Sequence, residues 1–135
     1  MAEAYALHYG TRRGWPVEVR SGGVLGLMDK PADPLALKVM KEIGIDITEH
    51  RSGDVNQTMM EWSDYVLVME LHHAAKLRKR FPEYENKIMV LANFGGLMEV
   101  SDPIGGWRWK FRRCRADIIR CVESFMDGLP PPKSV

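Results

Sequence analysis

The sequence predicts an α/β fold in which helices cover both faces of a doubly wound parallel sheet. Residues 65–69 and 87–91 are short, unbroken apolar runs, which is typical of strands buried on both faces. Segments with helical periodicity alternate with these runs, as in successive strand–helix units. With 135 residues and 45% hydrophobic content, the chain suits one compact domain with its own core.

The first predicted elements are a helix over residues 2–13 and a strand over residues 17–19. The helix is rich in alanine and is ended by Gly14 and Pro16. No N-cap residue precedes it, so the helix begins as if entered partway along. With the two apolar runs, the short strand makes a sheet of three strands, which is few for a doubly wound fold.

Two further helices are predicted before the first apolar run. One ends at Gly44, and its apolar face is formed by Leu35, Val39, Met40 and Ile43. Asp54 is placed to cap a second, short helix, whose apolar residues are Met59, Met60 and Trp62.

The second half of the chain predicts two more helices around the second apolar run. Residues 71–81 have helical periodicity and stop at Pro82, and residues 107–126 predict a long helix. We assign residues 1–128 to one domain. Residues 129–135 contain successive prolines and are expected to form a flexible tail.

Charge and cysteine content exclude several classes of function. The formal net charge is +1, so no global field favours nucleic acid, and no apolar run is long enough to cross a bilayer. Cys114 and Cys121 do not make a disulfide framework and are expected to pack in the core. We therefore predict a cytoplasmic protein with no nucleic-acid or membrane partner.

Five short segments follow one another in an order and spacing that is specific as a set. They are Ala2-Glu3-Ala4, residues 19–23, residues 44–52, residues 64–70, and Asp102-Pro103 followed by glycines. In this order they resemble the low-molecular-weight protein-tyrosine phosphatase family, over the chain from Ala2 to about Phe125. The resemblance implies the phosphotyrosine phosphatase I-like fold.

The resemblance also implies a mechanism. In the family, a cysteine thiolate attacks phosphorus to form a cysteinyl-phosphate, while backbone N–H groups and an arginine hold the phosphoryl oxygens. Asp102 would be the general acid that protonates the leaving phenol, and Pro103 would stiffen the adjacent backbone. Asp102 could instead simply open a proline turn. The implied substrates are phosphotyrosine proteins or small aryl phosphates, and no cofactor is implied.

Three other residues take roles by the same resemblance. Ser21 and His50 match positions that hydrogen-bond behind the phosphate-binding loop and hold its shape. The alternatives are a turn serine and a surface histidine. Trp107 either lines the aromatic substrate cleft or begins the apolar face of the last helix.

The chain departs from the family pattern at its beginning. No Cys-x5-Arg loop precedes Ala2, and the first strand of the family sheet is missing too. Cys114 and Arg120 have the required spacing, but the segment between them contains no glycine and lies in a predicted helix, whose N–H groups are already bonded. We expect no nucleophile, no activity of the chain as it stands, and self-association through exposed strand edges.

These observations leave three interpretations. The chain is a phosphatase whose start is misplaced at an internal methionine, or a pseudophosphatase that binds a partner without hydrolysis. Retention of Asp102, Ser21 and His50 favours the first interpretation. An arsenate reductase of the same fold is disfavoured, because residues 70–73 contain no resolving cysteine. The choice between phosphotyrosine and phosphoarginine stays open.

No metal site is predicted at the pair His72-His73. Adjacent helix residues are expected to point apart, and no acidic or cysteine partner stands at ligand spacing in the sequence.

Overall fold

The computed structural model describes residues 1–23 and 30–130. The described chain contains α1 (Ala2–Arg12), α2 (Pro34–Lys41), α3 (Gln57–Trp62), β1 (Val66–Val68), α4 (Leu71–Arg80), β2 (Ile88–Val90) and α5 (Arg108–Asp127), with 3₁₀ helices at Pro82–Lys87 and Leu91–Gly95. Each predicted helix is present, with its ends shifted by one to a few residues. No helix among the described residues is both long and apolar enough to cross a membrane.

The sheet is built on one strand–helix–strand unit. Strands β1 and β2 are parallel, with Val66 opposite Ile88 and Val68 opposite Val90. Helix α4 connects them and packs on both, burying Ala74. A parallel pair needs such a crossover, and the observed α/β architecture is the predicted one.

The prediction that residues 65–69 are buried on both faces is wrong for most of the run. Only Val68 of β1 is buried, Val66 and Leu67 are half-buried, and Tyr65 is 44% exposed. The physical reason is that β1 pairs with β2 alone within the described part of the chain, so its other edge is open. The predicted self-association through such an edge stays a prediction.

Residues 17–19 do not form the predicted strand. The Val17 N–H bonds back to the Trp15 carbonyl at 2.9 Å, so the chain turns where a strand would have to extend. An isolated parallel bridge joins Gly23 to Asp54 instead, and the Val55 N–H donates to the Gly23 carbonyl at 3.0 Å. Two valines flanking one glutamate are too short a pattern to specify a strand without a neighbour.

Local capping confirms one predicted helix end and corrects one predicted cap. Helix α2 ends before Gly44, whose φ of +79° favours glycine. Asp54 does not cap α3: the Asn56 carboxamide oxygen accepts from the Met59 N–H at 2.9 Å. The Asp54 carboxylate lies 3.4 Å from the Arg80 guanidinium instead. Asn and Asp are comparable caps, so their spacing from the helix start decided the outcome.

The core is organised around α5. This helix packs against α1, α2 and the 3₁₀ helix that follows β2. Its buried face consists of Phe111, Cys114, Ile118, Cys121, Val122, Phe125 and Met126. Leu129, just beyond the helix, is half-buried against this core, and residues 131–135 of the predicted tail lie outside the described residues.

One close approach defines how α5 meets the 3₁₀ helix Leu91–Gly95. A Cβ atom built on Gly95 would lie 2.5 Å from the Cys121 sulfur. Cys121 is fully buried, so its side chain has little room to move away. Only glycine at position 95 permits this packing distance.

We expect Gly95→Ala to destabilise the fold by about 1–3 kcal/mol through overpacking. In a Cys121→Ala background the same change should cost less, because the clashing sulfur is gone. Chemical denaturation of the four proteins of this double-mutant cycle measures both effects. Gly53→Ala is the matched control, since a Cβ there meets nothing within 4 Å. An equal cost of Gly95→Ala in both backgrounds would contradict the packing argument.

A surface clamp joins α2 to α5. The Glu42 carboxylate, just after α2, lies 2.6 Å from the Arg112 guanidinium and 2.8 Å from that of Arg115. Arg115 also donates to the Val39 carbonyl at 2.6 Å. Hydrogen bonding from Arg112, reinforced by Arg115, lowers the pKa of Glu42 to about 2.

This depressed pKa predicts a pH window for the clamp. Stability from Glu42 is fully present above its ordinary pKa of 4.5 and is lost as the pH falls toward about 2. Glu42→Gln should therefore be less stable than the parent at pH 7, and the difference should shrink through that window. Denaturant unfolding at several pH values measures this, with Glu18→Gln, another exposed acid, as control. A difference independent of pH would argue against the clamp.

Candidate active site

The segment that carries Asp102 is held in a defined turn. The Asp102 carboxylate accepts from the Ile104 N–H at 3.0 Å, and the Pro103 carbonyl accepts from the Gly106 N–H at 2.9 Å. Gly105 has a φ of +82°, which an L side chain rarely adopts. Asp102 itself is exposed. The turn thus presents a carboxyl group to solvent on a restrained backbone.

Two hydrogen bonds fix the start of this segment to the carboxyl end of β1. The Val100 N–H donates to the Met69 carbonyl at 2.9 Å, directly after the strand. The Glu99 carboxylate accepts from the Leu71 N–H, also at 2.9 Å. In parallel sheets, ligands bind beyond the carboxyl ends of the strands, so the predicted acid lies at the expected edge of the sheet.

Ser21 and His50 meet at Glu3, a residue for which the sequence predicted no role in the site. The Ser21 hydroxyl donates to the Glu3 carboxylate at 2.6 Å, and the His50 Nδ1 atom lies 3.4 Å from the same carboxylate oxygen. Glu3 belongs to the first turn of α1, where an acid is favourable to the helix dipole. That acid in the first turn is the one sequence signal that could have identified Glu3. The predicted contact of Ser21 and His50 with a phosphate loop stays a prediction.

This cluster borders an open polar cavity of about 500 Å³. Its lining residues are Glu3, Arg20, Ser21, Glu49, His50, Arg51, Asn56 and Met59. Two of its cations are already engaged: the Arg51 guanidinium donates to the Thr48 and His50 carbonyls, and that of Arg20 lies over the Trp62 ring at 4.5 Å. The cavity is therefore polar and carries charges of both signs, from Glu3 and Glu49 and from Arg20 and Arg51.

Both cysteines are buried on α5, as predicted. Burial raises the pKa of Cys114 to about 11, with a further contribution from Asp117, and burial also raises the pKa of Cys121. A nucleophilic cysteine needs a lowered pKa, because the thiolate is the reactive form. The helical setting and the neutral thiols show that neither side chain has the environment of a phosphate-attacking cysteine.

The charges of the Met1 ammonium group and of Asp102 both act on the buried thiol of Cys114. The pKa of Cys114, raised first by burial, is lowered by the Met1 ammonium group and raised further by the Asp102 carboxylate. Asp102 and the start of α1 therefore both lie within electrostatic reach of one buried atom. Glu3, which both Ser21 and His50 contact, belongs to the first turn of α1. The structure thus places Ser21 and His50 beside the start of α1, and Asp102 in the segment that follows Val100 at the carboxyl end of β1.

Trp107 does not begin the apolar face of α5. It occupies the N-cap position and is 77% exposed. The buried face of the helix starts at Phe111. Ile104 and Met98 in the preceding segment are comparably exposed, at 72% and 76%. Of the two alternatives, the packing role is wrong, and the substrate-cleft role of Trp107 stays a prediction.

The two expectations about His72 and His73 are also corrected. Their ring centroids are 4.1 Å apart rather than pointing apart. An acidic partner is present, since the Glu70 carboxylate lies 3.4 Å from the His72 Nε2 atom. Glu70 precedes α4 in an extended conformation, which lets its side chain reach over the first helical turn.

Comparison with known families decides the identity of the fold. The sequence profile described as Low molecular weight phosphotyrosine protein phosphatase matches residues 1–133. The chain belongs to this family. The matched region spans every element described above, so the resemblance carried by the five sequence segments is confirmed.

Relatives in the family act on two kinds of phosphorylated residue, by their names. The protein-arginine-phosphatase of Geobacillus stearothermophilus is 31% identical over 84% of this chain and 77% of its own length. A protein of Ralstonia solanacearum named "Probable low molecular weight protein-tyrosine-phosphatase EpsP" is 30% identical over 82% and 75%. The names of these relatives thus include both an arginine phosphatase and a tyrosine phosphatase.

Solved structures confirm the fold class. The low-molecular-weight protein tyrosine phosphatase of T. tengcongensis superposes with a TM-score of 0.90 at 29% identity, covering 95% of this chain and 88% of that one. A phosphatase chain of this family therefore shares the α/β arrangement described here.

We expect the contact between Ser21 and Glu3 to couple the start of α1 to residues 19–23. A double-mutant cycle of Ser21→Ala and Glu3→Ala should give a coupling free energy of about 0.2–1 kcal/mol, as for other exposed interactions that involve a charged group. Denaturant unfolding measures it. The pair Ser21→Ala with Glu83→Ala, whose side chains are not bonded to each other, is the control. Zero coupling for Ser21 and Glu3 would show that the bond contributes nothing in solution.

Proposed function

We propose that Asp102, together with the cluster of Ser21, His50 and Glu3, forms the general-acid side of a phosphomonoesterase site. In the complete family enzyme, such a site works through a cysteinyl-phosphate. The observation that carries the proposal is the position of Asp102. A restrained turn holds this carboxyl group close to the carboxyl end of β1, the edge of a parallel sheet at which ligands bind. The start of α1, which Ser21 and His50 approach through Glu3, would favour a bound phosphate.

The chemistry assigned to Asp102 has two steps. When a cysteine thiolate attacks phosphorus, the bond to the ester oxygen breaks and the protonated Asp102 donates its proton to the leaving phenolate. The resulting Asp102 carboxylate then takes a proton from the water that attacks the cysteinyl-phosphate. That step releases inorganic phosphate and restores the thiolate.

Ser21, His50 and Glu3 are positioning residues in this proposal. Their mutual contacts fix a polar surface beside the first turn of α1, next to the open polar cavity. A phosphate-binding loop presents its N–H groups inward to the anion and needs outer hydrogen bonds to hold that shape. The Glu3 cluster offers such outer bonds.

We further propose that the 135-residue polypeptide by itself does not hydrolyse phosphate esters. Neither Cys114 nor Cys121 is exposed, and the pKa of each thiol is raised by burial. The same observation supports a second candidate function, a non-catalytic phosphatase-like protein that binds a phosphorylated partner. An arsenate reductase remains disfavoured, because residues 70–73 contain no cysteine.

The proposed substrate is an aryl phosphate, either a phosphotyrosine protein or a small molecule. The exposed apolar side chains of Trp107 and Ile104, on either side of the Gly105 turn, support it, because a flat ring can stack on such a surface. Cytoplasmic location and independence of cofactors stay predictions.

The decisive assay compares the 135-residue polypeptide with a version extended before Met1. The extension carries a short apolar strand and a loop of Cys, five residues including glycine or asparagine, and Arg-Ser-Pro. We expect no turnover of p-nitrophenyl phosphate by the shorter polypeptide and clear turnover by the extended one. In the extended version, Asp102→Asn should lower kcat by about 10²–10⁴-fold for phenyl phosphate, the usual size of general-acid assistance.

The leaving group provides the internal control. The loss in Asp102→Asn should be smaller for p-nitrophenyl phosphate, whose nitrophenolate leaves without a proton, than for phenyl phosphate. Asp64→Asn, at another exposed aspartate, should retain full activity. Equal losses for both esters would refute Asp102 as the acid. An inactive extended version that still binds a phosphotyrosyl peptide in calorimetry would establish the binding function instead.

A further inference from the structure

Three metal-ligating side chains converge at the start of α4. Glu70, His72 and His73 each offer one ligand atom, and these atoms all lie within 4.8 Å of one another. The pair of His72 Nε2 and Glu70 Oε2 is separated by 3.4 Å. Glu70 and His73 are half-buried, while His72 is exposed. One side of the cluster therefore faces the protein, and the other side faces solvent.

The backbone around the cluster holds it in place. Glu70 is extended, with φ −127° and ψ 155°, and occupies the N-cap position of α4, so its carboxylate lies beside the helix start. His72 and His73 lie in the first turn of α4, with their rings tilted by 54°. The Glu99 carboxylate accepts a hydrogen bond from the N–H of Leu71. Because Leu71 lies between Glu70 and His72, this bond restrains the backbone that joins the proposed ligands. The ligand atoms therefore sit on a restrained frame and not on a free loop.

We propose that Glu70, His72 and His73 bind one divalent transition-metal ion with the coordination chemistry of Zn²⁺. Two imidazole nitrogens and one carboxylate oxygen form a donor set that zinc prefers, with a position left for water. Mg²⁺ and Ca²⁺ prefer all-oxygen ligands and do not suit it. The site is independent of the phosphatase chemistry proposed above.

The observed spacing is close to what the ion requires. Zinc bonds of about 2.1 Å in a tetrahedron put neighbouring ligand atoms about 3.4 Å apart. The His72–Glu70 pair already has this separation. The ligand atom of His73 lies within 4.8 Å of the other two, so the third ligand would have to move by only about 1 Å to reach this separation.

Local charge also supports a cation here. A helix N-terminus by itself disfavours positive charge. Glu70 supplies a direct negative ligand, and the Glu99 carboxylate bonded to the first turn adds a second negative charge nearby. These two carboxylates lie beside the first turn of α4 and offset the partial positive charge of the helix N-terminus.

The experiment is calorimetric titration of the full chain with ZnCl₂, together with Co²⁺ absorption. We expect one saturable site per chain, with a cobalt d–d spectrum of nitrogen and oxygen ligation. His72→Asn and His73→Asn should each weaken Zn²⁺ binding at least about tenfold, since even outer-shell changes cost that much. Thermal melts should show a Zn²⁺-dependent rise that disappears in the double variant.

The controls separate this site from the other two histidines and from the two cysteines. His8→Asn, His50→Asn, Cys114→Ser and Cys121→Ser should each bind Zn²⁺ like the parent. The proposal is overturned if the parent shows no saturable binding at millimolar Zn²⁺, or if the double variant binds as tightly as the parent. It is equally overturned by a thiolate-to-cobalt charge-transfer band that vanishes in Cys114→Ser.

Discussion

The packing of α5 is the constraint on which the other parts of the structure depend. One face of this helix receives α1, α2 and the 3₁₀ helix after β2, so it sets where each of them lies. The contact between Gly95 and the fully buried Cys121 leaves no space for a shift, because protein interiors are close-packed. Helix α1 packs on the same helix through its buried Tyr5, so its packing on α5 also decides where Glu3 lies.

The polar groups of the candidate site are mostly exposed and individually weak. Ser21 and Asp102 face solvent, and the contact of His50 with Glu3 is only partly shielded. Their arrangement matters because rigid elements hold it: the first turn of α1, the end of β1, and the hydrogen bond between Val100 and Met69. Such a surface can support chemistry through position, with little contribution to folding stability.

Periodicity over long segments predicted the helices well, because an apolar face repeated across several turns is a strong local signal. Short elements were predicted less well. Residues 17–19 form no strand, and Asn56 caps α3 instead of Asp54. A three-residue strand depends on a partner, and two similar polar residues near a helix start compete on small differences of geometry. The sequence left two roles open for Trp107, and the structure excludes the packing role, since this side chain is exposed.

The sequence by itself determined the α/β class, the helices, the burial of Cys114 and Cys121, and the family, since these follow from local periodicity and from ordered motifs. Tertiary structure alone decided which side chains meet. Glu3 lies far along the chain from His50, and Glu99 from Leu71, yet each pair is in contact. Contacts between distant residues depend on how α5 orders the elements in space, and no local pattern encodes that arrangement.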